Sequence, residues 1–397
     1  MLALLLAVAC DAPPTDTKPP DGADDRNEAR VQELMALGYL DYSDEIATPG
    51  ETVVTQFDRE RSAPGYNLVV SRQLAKAELF DAEGRVVHAW QPPGVKHFSN
   101  VELDRRGRLL VSGAAKDAGT GHLIVLDWNG QVLFEERIGS HHDAEWRPGG
   151  TIAALTRQRR RLPGVADGQV IRDNSIALVD PSQGVVWERS LTESLLASPE
   201  RFRFQRLPRM KKGSLGPMID LLHANSLEAM RYPEFAKRHP LYAEGNWLVS
   251  IRLQDTLAVI DGASGEVVWS YGQKILSGQH DAQQLPNGNL LVFDNGLSRE
   301  SSRVLEIDPV TEAIVWQYPP PGGDPFFTFA NGSSQRLPNG NTLVADSDHG
   351  VAFEVTPAGE TVWHFRNPHR DEEGHRATIV RIKRYPTEWV KKLLGKP

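Results

Sequence analysis

Histidines recur at one position of a repeated sequence unit, directly before a short apolar segment. Five of the 12 histidines occupy this position, and one copy of the unit has two serines there instead. The residues are His97, His142, His223, His280 and His375, with Ser333 and Ser334 in the remaining copy. An imidazole is a nucleophile or general base when neutral, and a general acid or anion ligand when protonated. The recurrence predicts a functional cluster if the fold brings these positions together.

Two other interpretations of these histidines stay open. Three imidazoles can bind zinc and leave one coordination position for a substrate. A histidine at the start of a strand can also simply cap backbone groups. Against a metal, the histidines belong to separate copies of the repeat, and Asp143, Asp281 and Glu102 are near enough in sequence to orient the rings through their second nitrogen. We therefore expect no metal and no cofactor.

The elements that must position the histidines form a repeat of two parts. One part is an apolar strand, an Asp-centred turn and a second strand that ends in an aromatic residue. It occurs six times, at residues 77–90, 123–134, 176–187, 257–269, 304–316 and 353–363. Asp and Gly suit this turn because it needs side-chain hydrogen bonds to the backbone and a positive φ. Each copy therefore predicts a β-hairpin.

The other part is a strand with a polar first residue, followed in two copies by the turn sequence LPNGN. It also occurs six times, at residues 97–113, 142–156, 223–252, 280–294, 332–346 and 375–385. The first hairpin lacks a preceding copy and the last copy lacks a following hairpin, so residues 375–385 and 66–90 complete one unit. This phase is typical of a β-propeller whose chain ends share a blade and leave no open sheet edge.

The sequence therefore predicts an all-β, six-bladed β-propeller over residues 61–386, closed by pairing of N- and C-terminal strands. Insertions are expected at 157–172 and 190–222. A β-sandwich with coincidental turns is the alternative, but it does not explain why the strand missing from the first unit is present at the end of the last one.

The segments outside the propeller differ in composition. Residues 1–10 are an apolar run ending in Ala-Val-Ala-Cys10, which resembles a bacterial lipoprotein signal; an ordinary cleaved secretion signal is the alternative. The Pro- and Asp-rich residues 11–27 predict a disordered tether, residues 28–60 a short helix and a strap, and residues 387–397 a C-terminal tail. We expect an exported protein of the cell envelope or periplasm that contacts the membrane only through a lipid on Cys10.

Charge and cysteine content exclude some classes of protein. The formal net charge is −8 and charged residues of both signs are interspersed, so no basic field is available for a nucleic acid. The only dense basic run, RQRRR at 157–161, is interpreted as a solvated loop. Because Cys10 is the single cysteine, a disulfide within the chain is excluded.

Several segments resemble the bacterial arylsulfotransferases that do not use a nucleotide sulfate donor. They are DLLHANS at 220–226, QHD at 279–281, FDNG at 293–296 and SRV at 302–304, together with the LPNGN turns. The resemblance covers roughly residues 30–386, and the order of the motifs along the chain makes it specific. It implies a six-bladed propeller in the cell envelope that moves a sulfuryl group from a phenolic sulfate ester to a phenol, by a ping-pong route through a sulfated histidine.

The resemblance also implies roles for individual residues. His223 and His280 would hold the sulfate oxygens and protonate the departing phenolate. Arg303 would neutralise the sulfuryl group, because a guanidinium fork suits a tetrahedral oxyanion. Asn225, two residues after His223 and on the same face of a strand, would donate to the same anion.

The nucleophile is where the chain departs from this family. The nucleophilic histidine would come from the blade after Arg303, and that copy begins with serines. His349, in the turn at the far end of the same strand pair, is the nearest histidine, and His142 and His97 are the alternatives.

Three functions stay open on the sequence. The first is sulfuryl transfer, with aryl sulfates and phenols as the small-molecule partners. The second is an arylsulfate hydrolase, in which water takes the group. The third is a non-catalytic propeller that binds an anionic or aromatic ligand, or a protein partner, at its mouth. The sequence predicts no oligomeric state.

Overall fold

The computed structural model describes residues 42–48, 50–71, 74–115, 121–205, 211–213 and 216–395. The predicted signal with Cys10, the tether and the N-terminal helix lie outside these residues. Of the helices in the described ranges, none is both long and apolar enough to cross a bilayer.

The first half of the described chain forms the outer part of one blade and two further blades. Strands β1 (Tyr42–Ile46) and β2 (Val54–Phe57) precede blade 1, which begins with β3 (Tyr66–Ser71), β4 (Lys76–Phe80) and β5 (Val86–Trp90). Blade 2 consists of β6 (Asn100–Leu103), β7 (Leu109–Ala114), β8 (His122–Leu126) and β9 (Val132–Glu136). Blade 3 consists of β10 (Ser140–Trp146), β11 (Ile152–Arg160), β12 (Ile171–Asp180) and β13 (Gly184–Ser190). Helix α1 (Leu191–Leu196) and a hairpin of β14 (Lys211–Gly213) and β15 (Gly216–Asp220) follow, and β15 pairs with β12.

The second half forms three more blades and returns to the first. Blade 4 consists of β16 (Ala224–Ala229), β17 (Trp247–Ile251), β18 (Thr256–Ile260) and β19 (Val267–Tyr271). Blade 5 consists of β20 (His280–Gln284), β21 (Leu290–Asp294), β22 (Arg303–Asp308) and β23 (Ala313–Tyr318). Blade 6 consists of β24 (Ser333–Arg336), β25 (Thr342–Asp346), β26 (Val351–Val355) and β27 (Thr361–Arg366), with β2 as a fifth strand. Then β28 (His375–Ala377) pairs with β1, β29 (Arg381–Tyr385) pairs with β3, and helix α2 (Thr387–Leu393) is the last element.

Short 3₁₀ turns connect some strands. They lie at Pro148–Gly150, Ala166–Gly168, Pro233–Lys237, Pro240–Tyr242 and Arg252–Gln254. The predicted all-β, six-bladed propeller is thus confirmed, and β29 closes the ring by supplying the innermost strand of blade 1.

The repeated turns form for the local reasons that the sequence suggests. In blade 1 the Asp81 side chain accepts hydrogen bonds from the backbone N–H groups of Glu83 and Arg85 (3.1 and 2.9 Å), and Gly84 has φ +83°. In the LPNGN turn of blade 5 the N–H of Leu285 donates to the carbonyl of Asn289 (2.8 Å). These side-chain and backbone bonds replace the ladder at the strand ends, so each hairpin is specified locally.

Adjacent blades are joined along the axis by one recurring contact. Each innermost strand has a free edge, and in every blade one of its N–H groups donates to a side chain of the preceding blade. The donors and acceptors are Leu103 to Tyr385, Trp146 to Glu102, Ala229 to Glu145, Ala282 to Ser226, Ser334 to Asp281, and Arg384 to Gln335. Since an unpaired buried N–H group is costly, these bonds fix the height of each strand relative to the next. They thereby bring the first residues of all six strands to one level.

One prediction about the strands is wrong. Residues 375–385 do not form one innermost strand, because β28 pairs with β1 outside the blades and β29 begins only at Arg381. Between them the N–H of Ile379 bonds the carbonyl of Ser347 and that of Val380 bonds the carbonyl of Val70, so the chain crosses from one pairing to the other. Arg381, not His375, is therefore the first residue of the innermost strand of blade 1, a position called the head of the strand below.

Candidate functional site

The ladder is irregular at the heads of the innermost strands of blades 3, 4 and 5. The pairing register shifts between Ser140 and Ala144, between Ala224 and Ser226, and between His280 and Gln283. Three residues at these places have positive φ angles: His142 (53°), His223 (49°) and Asp281 (51°). Such a conformation costs a residue other than glycine on the order of 1–3 kcal/mol and is concentrated at functional sites. Here it is shared by three consecutive blades, at the ends of the strands that carry the histidines.

These head residues surround a small cavity on the propeller axis, here called the axial cavity. Its volume is about 40 Å³, more than the roughly 10–15 Å³ that one water needs. Every blade contributes to its lining, with Asn100, His142, Asn225, His280, Ser333 and Arg381 in the order of blades 2 to 6 and then 1. A small group can therefore be contacted there from all six blades.

Two of the histidines form a relay with an acid. The Nε2 atoms of His142 and His223 lie 3.2 Å apart, and Nδ1 of His223 lies 2.8 Å from Oδ2 of Asp220. Arg172 donates to the same carboxylate oxygen at 2.8 Å. Because a carboxylate accepts, Nδ1 of His223 carries the proton and its Nε2 carries the lone pair. His142 must then donate its Nε2–H to His223.

The third histidine is held by an amide. Nδ1 of His280 lies 2.7 Å from Oδ1 of Asn295, while Nδ2 of Asn295 donates to the carbonyls of Thr328 and Asn331, both at 2.9 Å. The two carbonyls fix the orientation of the amide, so its oxygen faces His280 and accepts from Nδ1–H. Nε2 of His280 therefore carries a lone pair, and it has no hydrogen-bond partner among the described residues although it is buried.

A buried arginine lies beside these histidines. Arg252 follows β17 directly, is 6% exposed, and donates from a terminal nitrogen to the carbonyl of Phe329 (3.2 Å). Its Nε is buried and, within the described residues, unpartnered. Burial most strongly lowers the pKa of His280, and the charge of Arg252 lowers it further. The same charge also lowers the pKa of His223, after burial.

All three axial imidazoles are neutral near pH 7. The pKa values of His142 and His280 are well below the usual 6.5, mainly because burial disfavours the charged ring. The pKa of His223 is also lowered, although its contact with Asp220 opposes the effect of burial. The rings thus lie close enough to the buried charge of Arg252 to feel it, while the charged residues that line the axial cavity itself are Arg381 and Asp281.

An ion pair marks the boundary between the axial cavity and a second cavity, since Arg381 and Asp281 line both. Arg381 donates to Asp143 at 2.9 Å and to Asp281, which belong to blades 3 and 5. The predicted role of these two acids in orienting imidazoles is wrong, because they bond Arg381 and backbone N–H groups, and Asp220 orients His223 instead.

Beyond this ion pair lies a second cavity of about 310 Å³, whose lining includes Glu102, Glu145, Glu228, Arg231 and Lys383. Burial there raises the pKa of Glu228 to about 8. The propeller axis is thus divided into a histidine cavity and a larger cavity with charged walls.

The structure brings together only some of the residues singled out in the sequence. His142, His223, His280 and Asn225 lie at the axial cavity or in direct contact with a residue that lines it. Asn225 Nδ2 donates to the carbonyl of Gln279 (2.8 Å), which occupies one of its two amide N–H groups, and its buried Oδ1 has no hydrogen-bond partner within the described chain.

The other three predicted site residues, Arg303, His349 and His97, do not line the axial cavity. Arg303 donates to Asp294 (2.9 Å) and to the carbonyl of Ile275 (2.8 Å). His349 bonds Asp346 on its own turn at 2.9 Å, and this hydrogen bond raises its pKa to about 9. His97 precedes β6 and forms an isolated bridge with Ala115.

The axial histidines are not arranged as a metal-ligand set. In the described part of the chain, the side chains of Asp371, Glu373 and His375 form the only group of three whose ligand atoms lie within 4.8 Å of one another. That group lies in the loop before and at β28, where Asp371 bonds the ring of His375 at 2.9 Å.

Sequence reasoning missed Arg252 and Asn295, although both left a signal. Each directly follows the second strand of its blade, in the sequences LVSIR at 248–252 and LVFDN at 291–295. In an antiparallel pair the end of the second strand returns to the head of the first strand. A polar residue at the end of the second strand therefore lies next to the head histidine of its blade or its neighbour.

Comparison with known proteins agrees with the motifs. The sequence profile of the arylsulfotransferase (ASST) family matches residues 106–368, more than half of the chain. No curated protein sequence matches. Similar solved structures include a protein of unknown function from Bacteroides caccae, with 15% identity, a TM-score of 0.48, and coverage of 81% of this chain and 98% of that one.

Another is the β-propeller domain of Cps50 (Swd1) from Myceliophteria thermophila, with 14% identity, a TM-score of 0.44, and coverage of 83% and 90%. At these identities the likeness concerns the fold alone. The family match spans four of the six innermost strands. It also includes the residues of both histidine networks, His142 with His223 and Asp220, and His280 with Asn295. The chain belongs to the arylsulfotransferase (ASST) family.

Proposed function

We propose that the axial cavity transfers a sulfuryl group from a phenolic sulfate ester to a phenolic acceptor, by a ping-pong route through a histidine. The observation that carries the proposal is the meeting of three neutral imidazoles, the buried His280 and the partly buried His142 and His223, near the buried charge of Arg252. We also propose that the reaction takes place in the cell envelope, with the chain anchored through Cys10.

The charges of the site suit this reaction. A sulfate ester brings a negative charge with it, so catalysis depends mainly on holding the group in line and on compensating charge on its oxygens. Arg252 supplies that charge from a place with little water, where its effect is strongest. Asp220 fixes the ring of His223, which in turn fixes His142.

An apolar cluster beside Arg252 supports an aromatic substrate. Leu253, Leu297, Phe329 and Ala330 form a buried cluster with Phe327 packed against it. The carbonyl of Phe329 holds the guanidinium of Arg252, so this cluster and the anion-binding charge are adjacent. In the proposed reaction the aryl ring packs against Phe327, the member of this cluster that is only partly buried, while its sulfate group reaches the charge.

The lowered histidine pKa values predict the pH dependence of the reaction. A neutral ring is needed for attack, and a lowered pKa means that the neutral form persists when the pH falls below the usual 6.5. We therefore expect kcat/KM for 4-nitrophenyl sulfate to stay level from pH 8 to pH 6 and to fall only at lower pH. A decline centred near pH 6.5 would show that the reacting ring is an ordinary, solvated histidine.

The products formed by the wild-type protein test the proposed function. Purified protein is incubated with 4-nitrophenyl sulfate, with and without phenol, and nitrophenolate, phenyl sulfate and inorganic sulfate are all measured. We expect nitrophenolate release to depend on phenol and to match phenyl sulfate formation one to one. Release that is independent of phenol, with inorganic sulfate as the product, would identify a hydrolase instead.

A non-catalytic binding propeller is the second candidate. The observation that favours it is that β24 of blade 6 begins with Ser333, where the family resemblance would place the nucleophilic histidine. If no sulfate ester reacts while the folded protein binds aryl sulfates in calorimetry, this second candidate is correct.

A further inference from the structure

We propose that His280 is the residue that carries the sulfuryl group, bonded through its Nε2 atom. This assignment rests on the proposed sulfuryl transfer and gives the covalent step to blade 5, so that no histidine from blade 6 is required.

The hydrogen bonds of His280 select the nitrogen. Asn295 occupies Nδ1–H at 2.7 Å and is itself held by two carbonyls, so the ring cannot exchange its tautomer without leaving a carbonyl facing an oxygen. His280 lines the axial cavity, and its Nε2 is buried and has no hydrogen-bond partner within the described chain. A buried lone pair without a donor is unfavourable in the resting protein, and in the proposed reaction a substrate in the axial cavity relieves this cost.

The other histidines near the mouth are less suited to attack. The lone pair on Nε2 of His223 accepts from Nε2–H of His142 at 3.2 Å, so these two nitrogens engage each other. His349 is protonated at neutral pH because Asp346 raises its pKa to about 9, and a protonated ring has no lone pair to give. His142, which lines the cavity, and His223 instead support the reaction by holding each other in place.

The proposed step balances in atoms and charge. The Nε2 lone pair of His280 forms a bond to sulfur while the bond between sulfur and the aryl oxygen breaks, and the aryl oxygen leaves with that electron pair as a phenolate. The ring keeps its Nδ1 proton, so the intermediate is an imidazolium that carries a sulfonate, and Asn295 accepts the now stronger hydrogen bond. The acceptor phenol then bonds to sulfur, gives its proton to water or to the first phenolate, and the electron pair of the nitrogen–sulfur bond returns to Nε2.

The charge of Arg252, close enough to lower the pKa of His280, acts on the oxygens of the group in both proposed steps. In the intermediate the negative charge of the sulfonate oxygens and the new positive charge of the imidazolium ring cancel. The sulfated ring is therefore neutral overall and lies near the guanidinium of Arg252. The same geometry assigns Asn295 as a positioning residue, which acts through His280 without contacting the substrate.

A single-turnover experiment tests the assignment. Wild-type protein is mixed with 4-nitrophenyl sulfate without acceptor at alkaline pH, nitrophenolate is followed in the stopped flow, and the quenched protein is digested for peptide mass analysis. We expect a burst of one equivalent and one added SO3 group on the peptide that contains His280. His375→Gln, which removes a histidine outside the axial cavity, should behave like the wild type. His280→Ala and His280→Gln should give neither burst nor label.

The outcomes separate this assignment from the proposed function. A burst with the SO3 group on His142, His223 or His349 overturns the assignment but leaves sulfuryl transfer intact. Phenyl sulfate formation with neither burst nor label also overturns it, since the group would then pass directly between substrates. No reaction of any kind overturns both. The label in the wild-type protein decides the matter even if a His280 variant fails to fold.

Discussion

Replacing Arg252 by methionine is expected to lower kcat/KM for aryl sulfate turnover by roughly 10²–10³-fold. Losing one charge or donor that stabilises a developing oxyanion in a water-poor site typically costs this much. Arg252 is 6% exposed and lies close enough to His280 and His223 to lower both pKa values. The measurement is the steady-state rate of phenol-dependent nitrophenolate release as a function of substrate concentration.

Two further variants make this result specific. Arg252→Lys keeps the charge and should recover part of the activity, although it loses the planar fork. Arg189→Met removes an arginine that bonds the carbonyls of Ala263 and Ser264 on the outer side of the propeller, and should leave kcat/KM unchanged. If Arg303→Met abolishes turnover and Arg252→Met does not, the role implied by family resemblance is correct and the one argued here is wrong.

Replacing Glu354 by alanine is expected to lower the free energy of unfolding by about 3–5 kcal/mol, because it leaves a buried charge unpaired. Glu354 in blade 6 is fully buried and bonds Arg384 of the closing strand. It also accepts from the N–H of Ala63 (2.7 Å) and from the amide of Asn341 (2.6 Å). This ion pair joins the last blade to the strand that closes the ring.

The matched control is Glu360→Ala in the same blade. Glu360 pairs with Arg61 at 2.7 Å, but its side chain is 64% exposed, and exposed pairs contribute about 0–1 kcal/mol. Urea unfolding of both variants gives the comparison. A loss for Glu354→Ala no larger than that for Glu360→Ala would show that closure does not depend on this pair.

The fold was predictable because its information is local and repeated. Asp-centred turns, such as the one at Asp81, specify each hairpin through hydrogen bonds within a few residues. Counting the copies then gave six blades and a closing strand. The start of that strand was not predictable, because residues 375–377 form β28 and pair with β1, a partner more than 300 residues away in sequence.

The candidate site was predictable only where it lies at the heads of strands. His142, His223 and His280 share a repeat position, so the fold brings them to one end of the axis. Arg252 and Asn295 directly follow the second strands of their blades. Whether they lie near the histidines depends on the geometry of the blades as well as on sequence spacing. Motif comparison favoured Arg303, which is two strands from the axis in its own blade and bonds Asp294.

The measurement that tests the account most directly is the rate of phenyl sulfate formation by three proteins assayed together. They are the wild type, the axial double variant His223→Ala/His280→Ala, and the control double variant His122→Ala/His375→Gln, which removes two histidines outside the axial cavity. Circular dichroism and thermal unfolding establish that each is folded. We predict equal rates for the wild type and the control, and no phenyl sulfate from the axial variant. Transfer by the folded axial variant at the wild-type rate would contradict the claim that sulfuryl transfer takes place in the axial cavity.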